Sequence, residues 1–205
     1  MECDAVQAVE EYAIWGGVPR YWEVRRDYPD KETAIRKVLL DPQGPLIEEP
    51  QRLLRDDMRD TVQASTLLTI IGNGANKLSE IATRAGKDSN TISEPLSKLR
   101  ELGYVSREVP FGESPKKSKK GIYHINDSLL RFHYQFIVPY RSILELGRMD
   151  IVMQVVQAQL PQFIGQCWEL LCREYVSGNI IDGLAYNVAS RWWGKIFPPE
   201  YKDGK

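Results

Sequence analysis

Between Leu67 and Ile125 the apolar residues change period once, and that change limits the possible folds more than any other feature. Leu67, Leu68, Ile70 and Ile71 predict a helix ended by Gly72-Asn73-Gly74. Asn76 is placed to cap a second helix, Lys77 to Ala85, with Leu78, Ile81 and Ala82 facing inward, and Gly86 stops it. Ile92, Leu96, Leu99 and Leu102 then recur at steps of four, three and three, and Gly103 closes that third helix. After it the helical spacing ends. Tyr104 to Val109 and Gly121 to Ile125 are rich in β-branched and aromatic residues and flank a polar loop, which predicts a hairpin. Helix, helix, turn, helix, hairpin is the order of a winged helix-turn-helix.

The flanking segments read as helical. Ala5, Val9, Tyr12 and Ala13 form an apolar stripe, and Gly16-Gly17-Val18-Pro19 breaks it, with Pro19 placed to open the next helix through Tyr21, Trp22 and Val24. Asp30 caps a helix from Lys31 to Leu40 lined by Ala34, Val38 and Leu39. Asp41-Pro42-Gln43-Gly44-Pro45 ends it, and a fourth helix follows through Leu53, Leu54 and Met58. Beyond the hairpin, Asp127 caps Ser128 to Val138, and Pro139 ends that helix. Two more helices are expected, Ile143 to Leu160 and Phe163 to Tyr175, with Gly178-Asn179 as the stop. The predicted class is mainly α with a small β-hairpin. It divides into a lid-like helical segment (1–58), a winged helix-turn-helix (59–126) and a helical segment (127–205).

Charge narrows the function. The whole chain carries a formal net charge of −1, so no global field draws it to nucleic acid. Between Lys77 and His124, however, ten basic side chains face six acidic ones. Four of the ten, Lys116, Lys117, Lys119 and Lys120, sit in the loop of the predicted hairpin, which reads as mobile. Such a loop suits a phosphate backbone, where it releases counterions. Ser89, Asn90, Thr91 and Ser93 open the third helix, the part of a helix-turn-helix that approaches base edges. Asn90 has the groups to read adenine, and Lys98 can hold a phosphate. A winged helix also packs against proteins, so duplex contact and protein packing both stand open. Pro95 falls inside the third helix, where its ring opposes the carbonyl of Thr91. The helix is expected either to start late, with Thr91 and Glu94 as a capping box, or to bend.

Other candidates are weaker. Gly72 to Lys77 superficially resembles a phosphate loop but lacks the Lys-Ser/Thr ending, and it reads as an interhelical turn. His124 and His133 have no partner at ligand spacing, and His133 reads as a packed aromatic. Cys3, Cys167 and Cys172 are too few and too irregular for a disulfide framework or a zinc site, and read as buried free thiols in a reducing cytosol. With no apolar run near the ~20 residues that span a bilayer, the expected place is cytoplasmic, without a membrane partner. Trp192-Trp193 suggests a core or interface role. If the surface around it stays exposed, it offers a homodimer contact.

An ordered set of motifs resembles the archaeal-type AAA/STAND ATPases: Gly16-Gly17-Val18-Pro19-Arg20-Tyr21, Lys77-Leu78-Ser79-Glu80-Ile81-Ala82, Leu99 to Val105, Asp127-Ser128-Leu129-Leu130-Arg131-Phe132 and Arg191-Trp192-Trp193-Gly194. The resemblance implies the order ATPase core, helical lid, winged helix, restriction-endonuclease-like domain, with this chain running from the lid to the start of the nuclease-like part. It places Gly17, Pro19 and Arg20 beside a nucleotide in the full-length family, although a helix-loop-helix turn accounts for Gly and Pro there as well. It makes the helix Phe163 to Tyr175 the first helix of a nuclease-like remnant and Glu169 its acidic position. The chain has no G-x-x-x-x-G-K-[S/T] loop, and Glu200-Tyr201-Lys202 only mimics a nuclease triplet. ATP and magnesium therefore belong to the full-length family, and no cofactor, metal site or catalysis is expected here. The expected partners are duplex DNA or an ATPase core domain.

Overall fold

A computed structural model describes residues 4–193. Helices dominate it, joined by short antiparallel hairpins. Helix α1 spans Ala5–Trp15, α2 Pro19–Arg25 and α3 Lys31–Ala34, which continues as a π-helical segment, Ile35–Leu40. Helices α4 (Glu49–Asp57), α5 (Thr61–Gly72), α6 (Leu78–Ala85) and α7 (Ser89–Glu101) follow. Strands β1 (Val105–Glu108) and β2 (Ile122–Ile125) pair with Val105 opposite Ile125. Helix α8 (Ser128–Phe132) runs into a second π-helical segment, His133–Ile137, and a 3₁₀ turn, Val138–Tyr140. Helices α9 (Arg141–Glu145) and α10 (Met149–Val176) lead to strands β3 (Ile180–Ile181) and β4 (Leu184–Ala185).

Aspartates start many of these helices. Asp4, Asp30, Asp60 and Asp127 each accept a hydrogen bond from the backbone N–H three residues on, at 2.8, 2.8, 2.9 and 2.8 Å. Each satisfies an amide with no partner inside the helix, worth about 1 kcal/mol.

Two apolar cores form. In one, Ile14, Trp15, Tyr21, Ile35, Leu39 and Leu40 pack with Leu129, Phe132, Phe136, Val156 and Phe163. The first and third segments of the sequence therefore close on each other. In the other, Leu67, Leu68, Ile81, Ile92, Leu96 and Leu99 pack with Val105, Tyr123 and Ile125 beneath the β1–β2 hairpin. Helix α8 joins the two, because Leu129 and Phe132 enter the first core while Leu130 enters the second. The hydroxyl of Tyr104 adds a polar tie, donating to the carboxylate of Asp57 and to the carbonyl of Leu53 on α4.

Several expectations change. On α1, Ala5 and Tyr12 lie exposed and Val9 half-buried, while the buried side is Glu11, Ala13, Ile14 and Trp15. An acid at a core position hid that face. Asn76 is no cap: its carbonyl accepts from the Tyr123 N–H at 2.8 Å, and Lys77 bridges to Ile122, so this short stretch extends the hairpin's sheet. Helix α7 neither starts late nor lacks its first turn, for it begins at Ser89 with Pro95 inside it. Thr91 is exposed, so water can reach the carbonyl that Pro95 leaves unpaired. The two helices expected after residue 143 are one helix of 28 residues, α10, with Pro161 inside it. Pro161 and Gln157 both face solvent, which hydrates the freed carbonyl. The break comes instead at Gly147, whose φ of 73° caps α9. No helix among the described residues is long and apolar enough to cross a membrane.

Candidate nucleic-acid interface

Helices α6 and α7 turn about Gly86, and the turn leaves the start of α7 open to solvent. Asn90, Thr91 and Ser93 are exposed and Ser89 is half-buried. Ser93 is already engaged, its hydroxyl donating to the Ser89 carbonyl at 2.6 Å. The side chains of Asn90 and Thr91 make no hydrogen bond among the described residues, so their donors and acceptors are available. Thr91 also lines an open depression of ≈ 440 Å³ with Thr83, Lys87 and Asp88. Sequence reasoning passed over Lys87 there. Its signal was its position in the turn between the second and third of the helices that the spacing predicts. Lys98 stands nine residues after Ser89, roughly 13 Å along the helix at 1.5 Å per residue. It is exposed, with Glu101 at 3.8 Å.

Hydrogen bonds within the hairpin loop brace it. Arg107 reaches across it, donating to the carbonyls of Pro115 at 2.8 Å and Ser118 at 2.6 Å. The Ser114 carbonyl accepts from the N–H groups of Lys117 and Ser118 at 3.1 and 2.9 Å. Gly121 makes room for this, since a Cβ there would stand 2.3 Å from the Arg107 guanidinium. Lys116, Lys117 and Lys119 are exposed and form no ion pair among the described residues. Lys120 differs: it pairs with Glu113 at 2.6 Å and holds that carboxyl below the usual carboxylate range. Both halves of the interface hang on the second core, yet the start of α7 and the loop share no hydrogen bond or ion pair.

The remaining candidates are placed as follows. Gly17, Pro19 and Arg20 are exposed, with Pro19 opening α2 and the Gly16 carbonyl accepting from the Trp22 indole at 2.8 Å. Gly72 to Lys77 is the turn between α5 and α6. Glu169 accepts two hydrogen bonds from Arg191, at 2.6 and 2.5 Å, and has Arg173 at 3.7 Å. These guanidinium groups hold its carboxyl below the usual range. Among the described residues no three His, Cys, Asp or Glu side chains meet where they could hold a metal ion. His133 is buried, packed edge-to-face on Tyr134 at 5.2 Å between ring centroids. Cys167 is a buried thiol, but Cys172 is exposed, contrary to expectation. Trp192 is exposed and Trp193 half-buried. Cys3, Gly194, the Phe197-Pro198-Pro199 run and Glu200-Tyr201-Lys202 lie outside the described residues.

Residues 133–198 match the family model of archaeal and bacterial proteins of unknown function called DUF234. The match takes in α10, the β3–β4 hairpin and Trp192-Trp193, and leaves out the candidate interface. An uncharacterized protein of Methanocaldococcus jannaschii is 29% identical over 194 residues, which is 91% of this chain and 42% of that protein. No solved structure matches the chain. The chain thus spans less than half the length of this relative.

Proposed function

We propose that this chain is a non-catalytic C-terminal module of an AAA/STAND-type ATPase, and that its winged helix binds duplex DNA. The observation that supports duplex binding is the braced hairpin loop, which holds three exposed lysines, without an ion pair among the described residues, on the same core as an α7 start whose Asn90 and Thr91 side chains are free among those residues. Lys116, Lys117 and Lys119 would neutralise phosphates, and Asn90 and Thr91 would enter the major groove. The assignment to an ATPase rests on the ordered motif resemblance. Fluorescence anisotropy with a generic labelled duplex, titrated at two salt concentrations, tests duplex binding. Binding that weakens steeply with salt supports it, and no binding at low salt would sink it.

Protein packing against an ATPase core is the second possibility. Its support is the exposure of Val6, Tyr12 and Val18 on α1 and before α2, apolar side chains that the described residues cover only in part. The longer relative is consistent with further domains. Pull-down of such a core by this chain, in preference to DNA, would decide for it. A homodimer through Trp168, Ile180 and Trp192, all exposed, makes concentration-dependent mass in solution its test. A nuclease remnant at Glu169 draws no support from its geometry, because its carboxylate would have to leave two arginines before meeting a cation.

A further inference from the structure

Beyond Cys167 no described residue is buried. Leu171 still packs against the first core from a half-buried position; past it, the end of α10, the β3–β4 hairpin and the stretch up to Trp193 are held mainly by polar contacts. Those contacts converge on the β1–β2 hairpin through the alternating charges of Glu108, Arg173, Glu169 and Arg191, beside His124, whose pKa burial lowers. His124 on β2 stands 3.7 Å from Glu108 on β1, and Glu108 pairs with Arg173 at 3.1 Å. Arg173 lies 3.7 Å from Glu169, which grips Arg191. From Arg191 the chain turns onto the loop itself. The Arg191 carbonyl accepts from the Phe111 N–H at 3.0 Å, and the Trp193 indole donates to the Lys120 carbonyl at 3.3 Å. Phe111 and Lys120 sit at the two roots of the loop that carries the lysines. Arg173, Arg191 and Trp193 belong to the family-matched stretch, whereas Glu108, Phe111, Lys120 and His124 lie outside it.

We infer that residues 191–193 form a strap, latched by Arg191 on Glu169, that clasps both roots of the 110–121 loop and fixes its conformation. A segment with few buried apolar contacts opens locally at low free-energy cost, so the strap lifts while both cores stay folded. When it lifts, Phe111 and Lys120 each lose a partner, and the loop keeps only its internal bonds, those of Arg107, of the Ser114 carbonyl and of Lys120 with Glu113. The strap thus makes the pose of the lysines depend on the end of α10. This holds whatever the lysines bind.

The test is residue-resolved amide hydrogen exchange on the full chain with Arg191→Gln. Phe111 should exchange at least tenfold faster, while amides of α5 and of Val152 to Phe163 keep their rates. Unchanged exchange at Phe111, or a rise spread evenly through the cores, overturns the strap. Trp193→Phe gives an independent measurement that leaves the ion pairs intact. Tryptic cleavage at Lys116 to Lys119 should quicken at least threefold, and an unchanged rate counts equally against the strap. Neither readout involves DNA, so a failure here is distinct from a failure of duplex binding.

Discussion

Glu11 on α1 grips Arg25 on α2 through both carboxylate oxygens, at 2.9 and 2.5 Å, and both side chains are buried. The pair is fully served: the Trp15 indole donates to Glu11 at 2.8 Å, and Arg25 also donates to the Tyr28 carbonyl at 2.9 Å. Glu11→Ala leaves a buried guanidinium without its counter-charge and should lower the unfolding free energy by about 3–5 kcal/mol. Replacing both partners, Glu11→Leu with Arg25→Met, should restore most of that loss. Urea denaturation of the three proteins checks both statements.

His133 makes the fold sensitive to acid. Neither ring nitrogen has a hydrogen-bond partner, and burial, with the Arg141 charge nearby, pushes its pKa from 6.5 down to about 4. The unfolded chain takes up a proton near the ordinary value, while the folded chain resists until about 4. Between these values the unfolded state binds more protons, so stability falls as pH drops through the window and levels off below it. The loss is on the order of 3 kcal/mol. His133→Phe should remove that part of the slope, which unfolding curves between pH 7 and 4 would show.

The loop lysines should not be equivalent. Lys116→Ala, Lys117→Ala and Lys119→Ala together should weaken binding to every duplex alike and reduce the salt slope by up to about 0.9 for each phosphate that is no longer neutralised. Lys120→Ala should do less, because Glu113 already holds that ammonium. Equal effects from all four positions would mean that the Glu113 pair does not persist in solution.

Pro95 offers a gain in stability. It removes one hydrogen bond from the middle of α7. Pro95→Ala should raise the unfolding free energy by about 1–3 kcal/mol, with a higher Tm in a thermal melt. The same variant tests whether the proline's local geometry matters to duplex affinity.

Much of the fold was legible because its signals are local. Asp30 and Asp127 cap the helices expected of them, and Gly86 stops α6 in a left-handed conformation with φ 62°. Ile92, Leu96 and Leu99 face the core as their spacing predicts. What escaped depends on residues far apart in sequence. Glu11 reads as a surface acid until Arg25 is placed beside it. Pro161 reads as a helix end until its solvent-facing position is known. The β3–β4 hairpin is a different miss, since its signal was present: Asp182-Gly183 with φ values of 51° and 80° is the two-residue turn that asks for such a pair. At the candidate interface, residue types marked Asn90 and the lysines, but the pairing of Lys120 with Glu113 and the bracing by Arg107 needed coordinates.

Helix α8 gives neighbouring side chains to different cores, Leu129 to one and Leu130 to the other. Adjacent residues on a helix point about 100° apart, so a small rotation of α8 withdraws one as it presses in the other. Both cores are close-packed and resist such a change. Helix α8 is therefore a rivet between the two cores: its rotation is fixed from both sides, so the place of Leu130 beneath the β1–β2 hairpin is set together with that of Leu129 and Phe132 in the first core.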